Sequence, residues 1–500
     1  RLADHYGELA HHFAQGEEWQ KAMEYSLLAG DRAASAFANL EAKGHYARAL
    51  QAAGKLTPSP DLGVLASLQM KRGVVLMVLG EYDEAEATYQ RALELVQRAG
   101  ERRREAEVLV GLTDVYYGRH RGEPAIERNE HAFSIARELG DRGLQAVCLA
   151  SRVLTRSCAW GQVVETTPDA EEALRLSQEI GDPRLLARTL VLLGLVFQWR
   201  ANFDQALVYL HQGAELAERT HVGVWFSGAG FHIGHANLAK GEYEEALRWY
   251  RRLSNYASVA GDRLCIARVP NAIGGVHLEL FDLDGAIRIN LEADEVARKN
   301  SSWPEPRGHS LLKVGLAHLQ QGEHGLAEAF FQKAWALLEE DVWMRWRWYI
   351  PLLRARGELA LAEGRHEEAW SYAAQSLEMA TQTDSRKHIA RAQWLQGEIL
   401  AASGQLEEGA QRLAESVRLA ETIQTPREIW MGKASLGKVL AQMGKDKEKE
   451  AEAQFLQAAQ TIEALAGKLK TPNLRQCFLG AEPVLEVYRA LGHHPPQAIP

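Results

Sequence analysis

Very few of the 500 residues stand where chemistry would need them. Residues 366–370 (HEEAW) begin like the HExxH helix that grips zinc, but Trp370 occupies the place of the second imidazole. Glu367 and Glu368 then read as the acidic first turn of a helix, where carboxylates complement the helix dipole. Residues 228–234 (GAGFHIG) approach a dinucleotide fingerprint, yet the spacing is wrong and no strand precedes them; they read as close helix packing. There is no GxxxxGK[ST] loop to cradle a nucleotide's phosphates and no GxSxG elbow to activate a serine. His11 and His12 read as packed or solvent-facing residues of a helix, and the pair His493 and His494 makes a poor metal site by itself. Cys148, Cys158, Cys265 and Cys477 include no CxxC pair, which excludes the usual zinc and redox motifs. Cysteines this sparse fit a reducing cytoplasm. The expectation is a chain with no catalytic residue, no cofactor and no metal.

Binding chemistry is better represented. Trp343, Arg345, Trp346, Arg347 and Trp348 cluster within six positions, followed by Tyr349. Aromatic and Arg side chains dominate interface hot spots, so these five are a candidate partner patch; the alternative is bulky packing between two helices. Lys and Arg total 57 against 66 Asp and Glu, a net charge of −9. Proteins that grip nucleic acid carry a basic surplus to neutralise phosphates, so no nucleic-acid partner is expected. Arg102, Arg103 and Arg104 are flanked by Glu101 and Glu105 and read as a solvated helix start. No apolar run approaches the roughly 20 residues of a membrane span, and there is no signal peptide.

The elements that must position these residues are legible as a period. Small residues recur at Gly73, Thr113, Leu154 (a weak copy), Gly194, Gly234, Gly274, Gly315, Gly357, Gly397 and Gly437. Their spacing is about 40 residues, and a fixed period in that range marks a solenoid. Each copy repeats one grammar, as in Gly73, Gly80, Ala85, Tyr89, Ala92 and in Gly315, Gly322, Ala327, Phe331, Ala334. The first Gly lies inside one helix and admits its neighbour; the second opens the turn, where positive φ costs Gly little. The Ala faces the first Gly across the hairpin, and the aromatic fills the contact to the next hairpin. Gly140-Asp141, Gly181-Asp182-Pro183 and Gly261-Asp262 each read as a Gly stop followed by an Asp N-cap. Ala, Leu, Glu, Gln and Arg dominate, all good helix formers, and no alternating run reads as a strand. The expected organisation is shorter hairpins and a Pro-containing break over 1–60, the main array over 61–467, and a closing helix and tail over 468–500.

This Gly/Ala/aromatic grammar resembles the tetratricopeptide repeat (TPR), in the long-helix variety of large bacterial signalling proteins. The resemblance implies an all-α fold, a TPR-type α-solenoid: a right-handed superhelix of about 12 helical hairpins with a period of about 40 residues. Residues 4–50 (DHYGELAHHFAQGEEWQKAMEYSLLAGDRAASAFANLEAKGHYARAL) are similar to the segment that follows the ATPase module of STAND-type signalling ATPases, and residues 474–491 (LRQCFLGAEPVLEVYRAL) to the closing segment of the nucleotide-cyclase-associated members. Arg1 in place of Met suits a piece of a longer polypeptide. No helix-turn-helix follows the repeats, which favours a cyclase-type or kinase-type parent over a transcription regulator.

In TPR proteins the first helix of each hairpin lines the concave groove. By that resemblance Trp199, His235, Asn271, Arg354 and Trp394 are the candidate groove-binding residues, a mixture of donors, a cation and flat rings suited to a peptide or small effector. The expected function is a non-catalytic protein–protein interaction and regulatory scaffold, the sensor arm of a cytoplasmic signalling ATPase. Its partners would be a protein or peptide, or a small-molecule effector, together with the adjacent ATPase module of the same polypeptide. The alternative is a free-standing adaptor that links protein partners.

Overall fold

The computed structural model describes residues 2–301, 303–340 and 343–496, and every regular element among them is helical. The chain opens with α1 (Tyr6–Gln15), α2 (Trp19–Ser35), α3 (Asn39–Ala53), α4 (Leu62–Val78), α5 (Tyr82–Ala99), α6 (Arg102–Gly118), α7 (Gly122–Glu138), α8 (Arg142–Trp160) and α9 (Thr167–Ile180). It continues through α10 (Pro183–Trp199), α11 (Phe203–Arg219), α12 (Gly223–Ala239), α13 (Tyr243–Ala260), α14 (Arg263–Glu279), α15 (Leu283–Asn300), α16 (Pro304–Gln320) and α17 (His324–Glu340). It closes with α18 (Arg345–Ala362), α19 (His366–Gln382), α20 (Arg386–Ala402), α21 (Leu406–Thr422), α22 (Pro426–Gln442), α23 (Glu448–Lys468), α24 (Pro472–Gly480) and α25 (Glu482–Ala490). The expected repeat is present as antiparallel pairs such as α4–α5, α6–α7, α16–α17, α18–α19, α20–α21 and α22–α23. The fold is an all-α, TPR-type α-solenoid.

The turns follow from the residues that start and stop the helices. Gly80 takes a φ of +68°, its N–H bonds to Met77 O at 3.1 Å, and Glu81 N–H reaches back to Leu76 O at 2.9 Å. This left-handed cap satisfies two carbonyls that the helix would otherwise leave open. Ala201 and Phe281 adopt the same left-handed cap without Gly, at φ +61° and +60°. Each accepts a strain of about 1 kcal/mol because the following N–H still finds its carbonyl, Asn202 to Phe197 and Asp282 to His277. At the next helix start the Asp141 side chain accepts from Leu144 N–H at 2.9 Å and that of Asp182 from Arg184 N–H at 2.8 Å.

Packing inside the α4–α5 and α16–α17 hairpins departs from expectation in one respect. The Ala residues set opposite the first Gly are fully buried (Ala85, Ala327), but the space above that Gly is taken by the aromatic ring. Tyr89 lies over both Gly73 of its own hairpin and Gly111 of the next helix, and Phe331 lies over Gly315. A ring is wide enough to bridge two helices, whereas a methyl group fills only its own helix-to-helix gap.

The chain forms two compact units. The first takes the residues up to Leu193, Tyr209–Ala229 and Leu253–Ile266; the second takes Gly194–Val208, Gly230–Arg252 and the residues from Ala267 onward. In the first unit, Asn39 Nδ2 donates to Ala260 O at 2.8 Å, and the Phe37 and Tyr256 rings meet edge-on at 5.3 Å. In the second unit, Arg200 Nε donates to Asp384 Oδ2 at 2.8 Å across 184 residues of chain. Glu244 Oε1 there accepts from Lys470 and Thr471 N–H, at 3.1 and 2.9 Å. Within the second unit a repeat therefore touches one about five repeats later, and the inner faces of its helices enclose a space. The short helix expected near Glu482 is α25, packed on α23; residues 497–500 of the expected tail lie outside the described residues. Among the described residues no helix is long and apolar enough to cross a membrane.

Candidate functional site

The inner face of the second unit is built from the first helices of consecutive hairpins. Side chains of α10, α12, α14, α16, α18 and α20 surround a cavity of about 250 Å³. A chamber of about 100 Å³, reached by α22, shares Leu278, Glu279, Leu316, Arg354 and Arg391 with it. Six cations line the two, Lys313, Arg347, Arg354, Lys387, Arg391 and Arg427, against four carboxylates, Glu279, Glu305, Glu358 and Glu428. These ions share the lining with Leu238, Leu278, Leu312 and Leu316, and each ion must find a partner or lose stability.

Two networks supply most of those partners. In the first, Glu305 is 3% exposed, yet it accepts from Arg268 Nε at 2.8 Å and has Arg347 Nη1 at 3.5 Å and His309 Nε2 at 3.7 Å. Burial alone would raise its pKa; Arg268 and Arg347 outweigh burial and hold the carboxyl at about 2. In the second, Arg391 Nε donates to Glu428 Oε1 at 2.7 Å and its Nη2 to Glu279 Oε1 at 3.1 Å. Lys387 Nζ stands 3.7 Å from Glu279 and 3.6 Å from Glu428. Arg354 is paired with Glu358, but burial and the neighbouring Arg391 and Arg427 push its pKa down to about 9.

Four imidazoles line the same cavity, all uncharged at neutral pH. Burial drives His235 and His388 down to about 3, and His232 and His309 well below the ordinary value. His235 Nδ1 bonds Phe231 O at 2.9 Å, with Tyr250 OH 3.1 Å away; His232 Nδ1 meets Gln198 Oε1 at 3.0 Å. Among the described residues no group of three metal-ligating side chains comes together.

The five candidate groove residues all lie on first helices. Trp199, His235, Asn271 and Arg354 line the larger cavity. Trp394 lines the smaller chamber and donates from Nε1 to Ser435 Oγ at 2.8 Å. The five candidates for a partner patch do not form one surface. Trp348 is fully buried, its ring filling the space over Gly308. Trp343 is 5% exposed, and Arg345 lies over the Tyr349 ring at 4.6 Å. Trp346 and Arg347 instead face the cavity, with Trp346 edge-on to Trp199 at 6.0 Å. The first turn of α18 alternates because a helix carries successive side chains about 100° apart, so five neighbours cannot share one face.

Sequence reading missed the carboxylates and lysines of the cavity. Their signal lies in the register of the repeat. Ten residues before the periodic glycines Gly315, Gly357, Gly397 and Gly437 stand Glu305, Arg347, Lys387 and Arg427. Position by position, that column of charge points inward from α16, α18, α20 and α22.

Residues 64–138 match the family model described as tetratricopeptide repeat, which covers α4 to α7. Those hairpins are TPR hairpins. Two solved structures share the fold at low sequence identity. The crystal structure of a Rap protein complexed with competence and sporulation factor is 15% identical, with a TM-score of 0.55 over 73% of this chain and 100% of that one. The crystal structure of the APC/C hetero-tetramer Cut9–Hcn1 is 14% identical, with a TM-score of 0.51 over 98% of this chain and 94% of that one. No curated protein sequence matches the chain.

Proposed function

We propose that the chain is a non-catalytic regulatory scaffold whose second unit binds an effector in its interior, and that it serves as the sensor arm of a larger signalling ATPase of the nucleotide-cyclase-associated kind. The observation that carries the binding role is the cavity itself, lined by Lys313, Arg347, Arg354, Lys387 and Arg391 together with Trp199 and Trp346. Enclosed concave sites with a few convergent polar groups are where ligands bind. The Rap protein of similar fold is, by its description, complexed with competence and sporulation factor, which supports a ligand-binding use of such a solenoid. The resemblance of residues 4–50 and 474–491 to STAND ATPases supports the parent architecture, with an adjacent ATPase module as the intramolecular partner.

An effector would act by preferring one state of that module, since a ligand of equal affinity for both states shifts nothing. The test uses the native full-length polypeptide. Its affinity for protein and peptide partners captured from its own cell is measured in the ATP-loaded and ADP-loaded forms. A difference of about tenfold, or 1.4 kcal/mol, is expected. Equal affinities would sink the switch, and a native reading frame without an ATPase upstream would sink the parent.

A further inference from the structure

The charge surplus of the cavity has a definite location. Of its six cations, four have a carboxylate within 4 Å: Arg347, Arg354, Lys387 and Arg391. The other two, Lys313 and Arg427, have no such pairing among the described residues. Lys313 Nζ donates to Asn271 O at 2.7 Å and to Asn271 Oδ1 at 2.9 Å, which uses two of its three N–H groups. Arg427 lies over the Phe281 ring at 5.4 Å, and its Nε is buried without a partner. Desolvating a cation that no carboxylate touches is costly, and burial pushes the Lys313 pKa down to about 8 even though Glu305 and Glu279 act from a distance to raise it. An anion entering from solvent would supply what the protein withholds. Beside Lys313 the cavity is also lined by apolar and aromatic side chains, among them Phe231, Leu312, and Trp199 edge-on to Trp346. The volume of about 250 Å³ lies just below the range for small-molecule pockets, about 300 to 1,000 Å³, and suits a small metabolite better than a length of extended peptide.

We propose that this cavity binds a small organic anion, whose carboxylate or phosphate takes the remaining N–H of Lys313 and whose apolar part lies against Trp199 and Trp346. This rests on the interior-binding reading above and assigns the chemical class of its effector. Lys313 is the specificity-determining residue; Arg427 marks where a second negative charge, or the far end of a longer ligand, is accepted.

The test uses the full chain and four probes of nearly equal size: benzoate, phenyl phosphate, neutral benzamide and cationic benzylamine. Binding is read by tryptophan fluorescence and by calorimetry at low ionic strength. Saturable binding of the two anions is expected, at least about tenfold tighter than benzamide, with none of benzylamine. Lys313→Met should collapse the preference for benzoate over benzamide to within about twofold. The variant removes a half-buried cation but also the donor to Asn271 O and Oδ1, so circular dichroism is used to confirm that it is folded before binding is compared. Lys313→Gln, which keeps a polar group beside Asn271, should lose the same preference if Lys313→Met does not fold. Benzamide binding as tightly as benzoate, neither anion binding up to about 10 mM, or both variants retaining the full preference would each overturn the assignment. State-dependent capture of a partner by the full-length protein is measured independently, so failure here refutes the ligand class and leaves the scaffold to stand or fall on its own test.

Discussion

Glu305→Gln isolates the worth of the cavity's first ion network. The carboxyl is held at about 2 against an ordinary 4.5, which corresponds to about 3 kcal/mol of stabilisation at neutral pH. The substitution keeps the shape and an oxygen for Arg268 but removes the negative charge that faces Arg268 at 2.8 Å and Arg347 at 3.5 Å. Breaking a buried pair in this way costs about 3 to 5 kcal/mol, in agreement with the figure from the pKa. Because a depressed carboxyl contributes fully only above its unfolded pKa, the contribution is complete above about pH 5 and is lost as the pH falls toward 2. The gap between native protein and variant should therefore be about 3 kcal/mol at pH 7 and less than half of that at pH 3. A repeat array does not unfold in one step, so the assay is amide hydrogen exchange resolved to α16 and α18, where each opening energy is read locally. A gap under about 1 kcal/mol at pH 7, or one that stays constant down to pH 3, would refute the reasoning.

Two further outcomes follow from the same structure. His235 is held neutral with a pKa of about 3 against 6.5, so the unfolded chain takes up a proton that the folded one refuses. Stability is present above pH 6.5 and falls as the pH drops toward 3, by about 2 kcal/mol at pH 5. His235→Gln should remove that part of the loss, and amide hydrogen exchange in α12 that shows the same loss between pH 7.5 and pH 5 in both proteins would count against it. In Gly315→Val, a Cβ would stand 2.5 Å from Phe331 Cε1 and 3.2 Å from Ala327 O, in the centre of the α16–α17 hairpin. Overpacking of this kind costs about 1 to 3 kcal/mol; amide hydrogen exchange in α16 and α17 should show opening energies lower by that amount, and unchanged exchange would mean that the hairpin yields at that point.

The hairpins were readable because their signals are local. A Gly that admits a ring, a Gly or Asp at a turn and an acidic first turn recur at one spacing, and each acts within a few residues of itself. Phe281 shows the limit: nothing in its identity announces a positive φ, and only the repeat register places it at the cap. The groove residues were legible in part. Helix assignment put Trp199, His235, Asn271 and Arg354 on inner helices, but it could not say which side of each helix faced inward. Trp348 and Arg347 are neighbours in sequence, yet one is core and the other meets Glu305 across the cavity. The contact from Arg391 to Glu279 spans 112 residues, and no short-range pattern encodes a pairing made by curvature.

That curvature also explains why ions share the interior with apolar side chains. Many apolar side chains of the first helices are consumed in packing each helix on its neighbours, as Leu311, Leu352 and Leu359 are in the core around Phe331 and Trp348. Others, Leu278 and Leu316 among them, line the cavity, the gap left between the first helices. Long charged side chains span that gap, and their paired heads hold one repeat against another, as Arg391 does between Glu428 and Glu279. A fully paired network would serve that structural role alone and carry equal numbers of both signs. The interior departs from that balance at Lys313 and Arg427, and those two positions are where a purely structural account of the cavity stops.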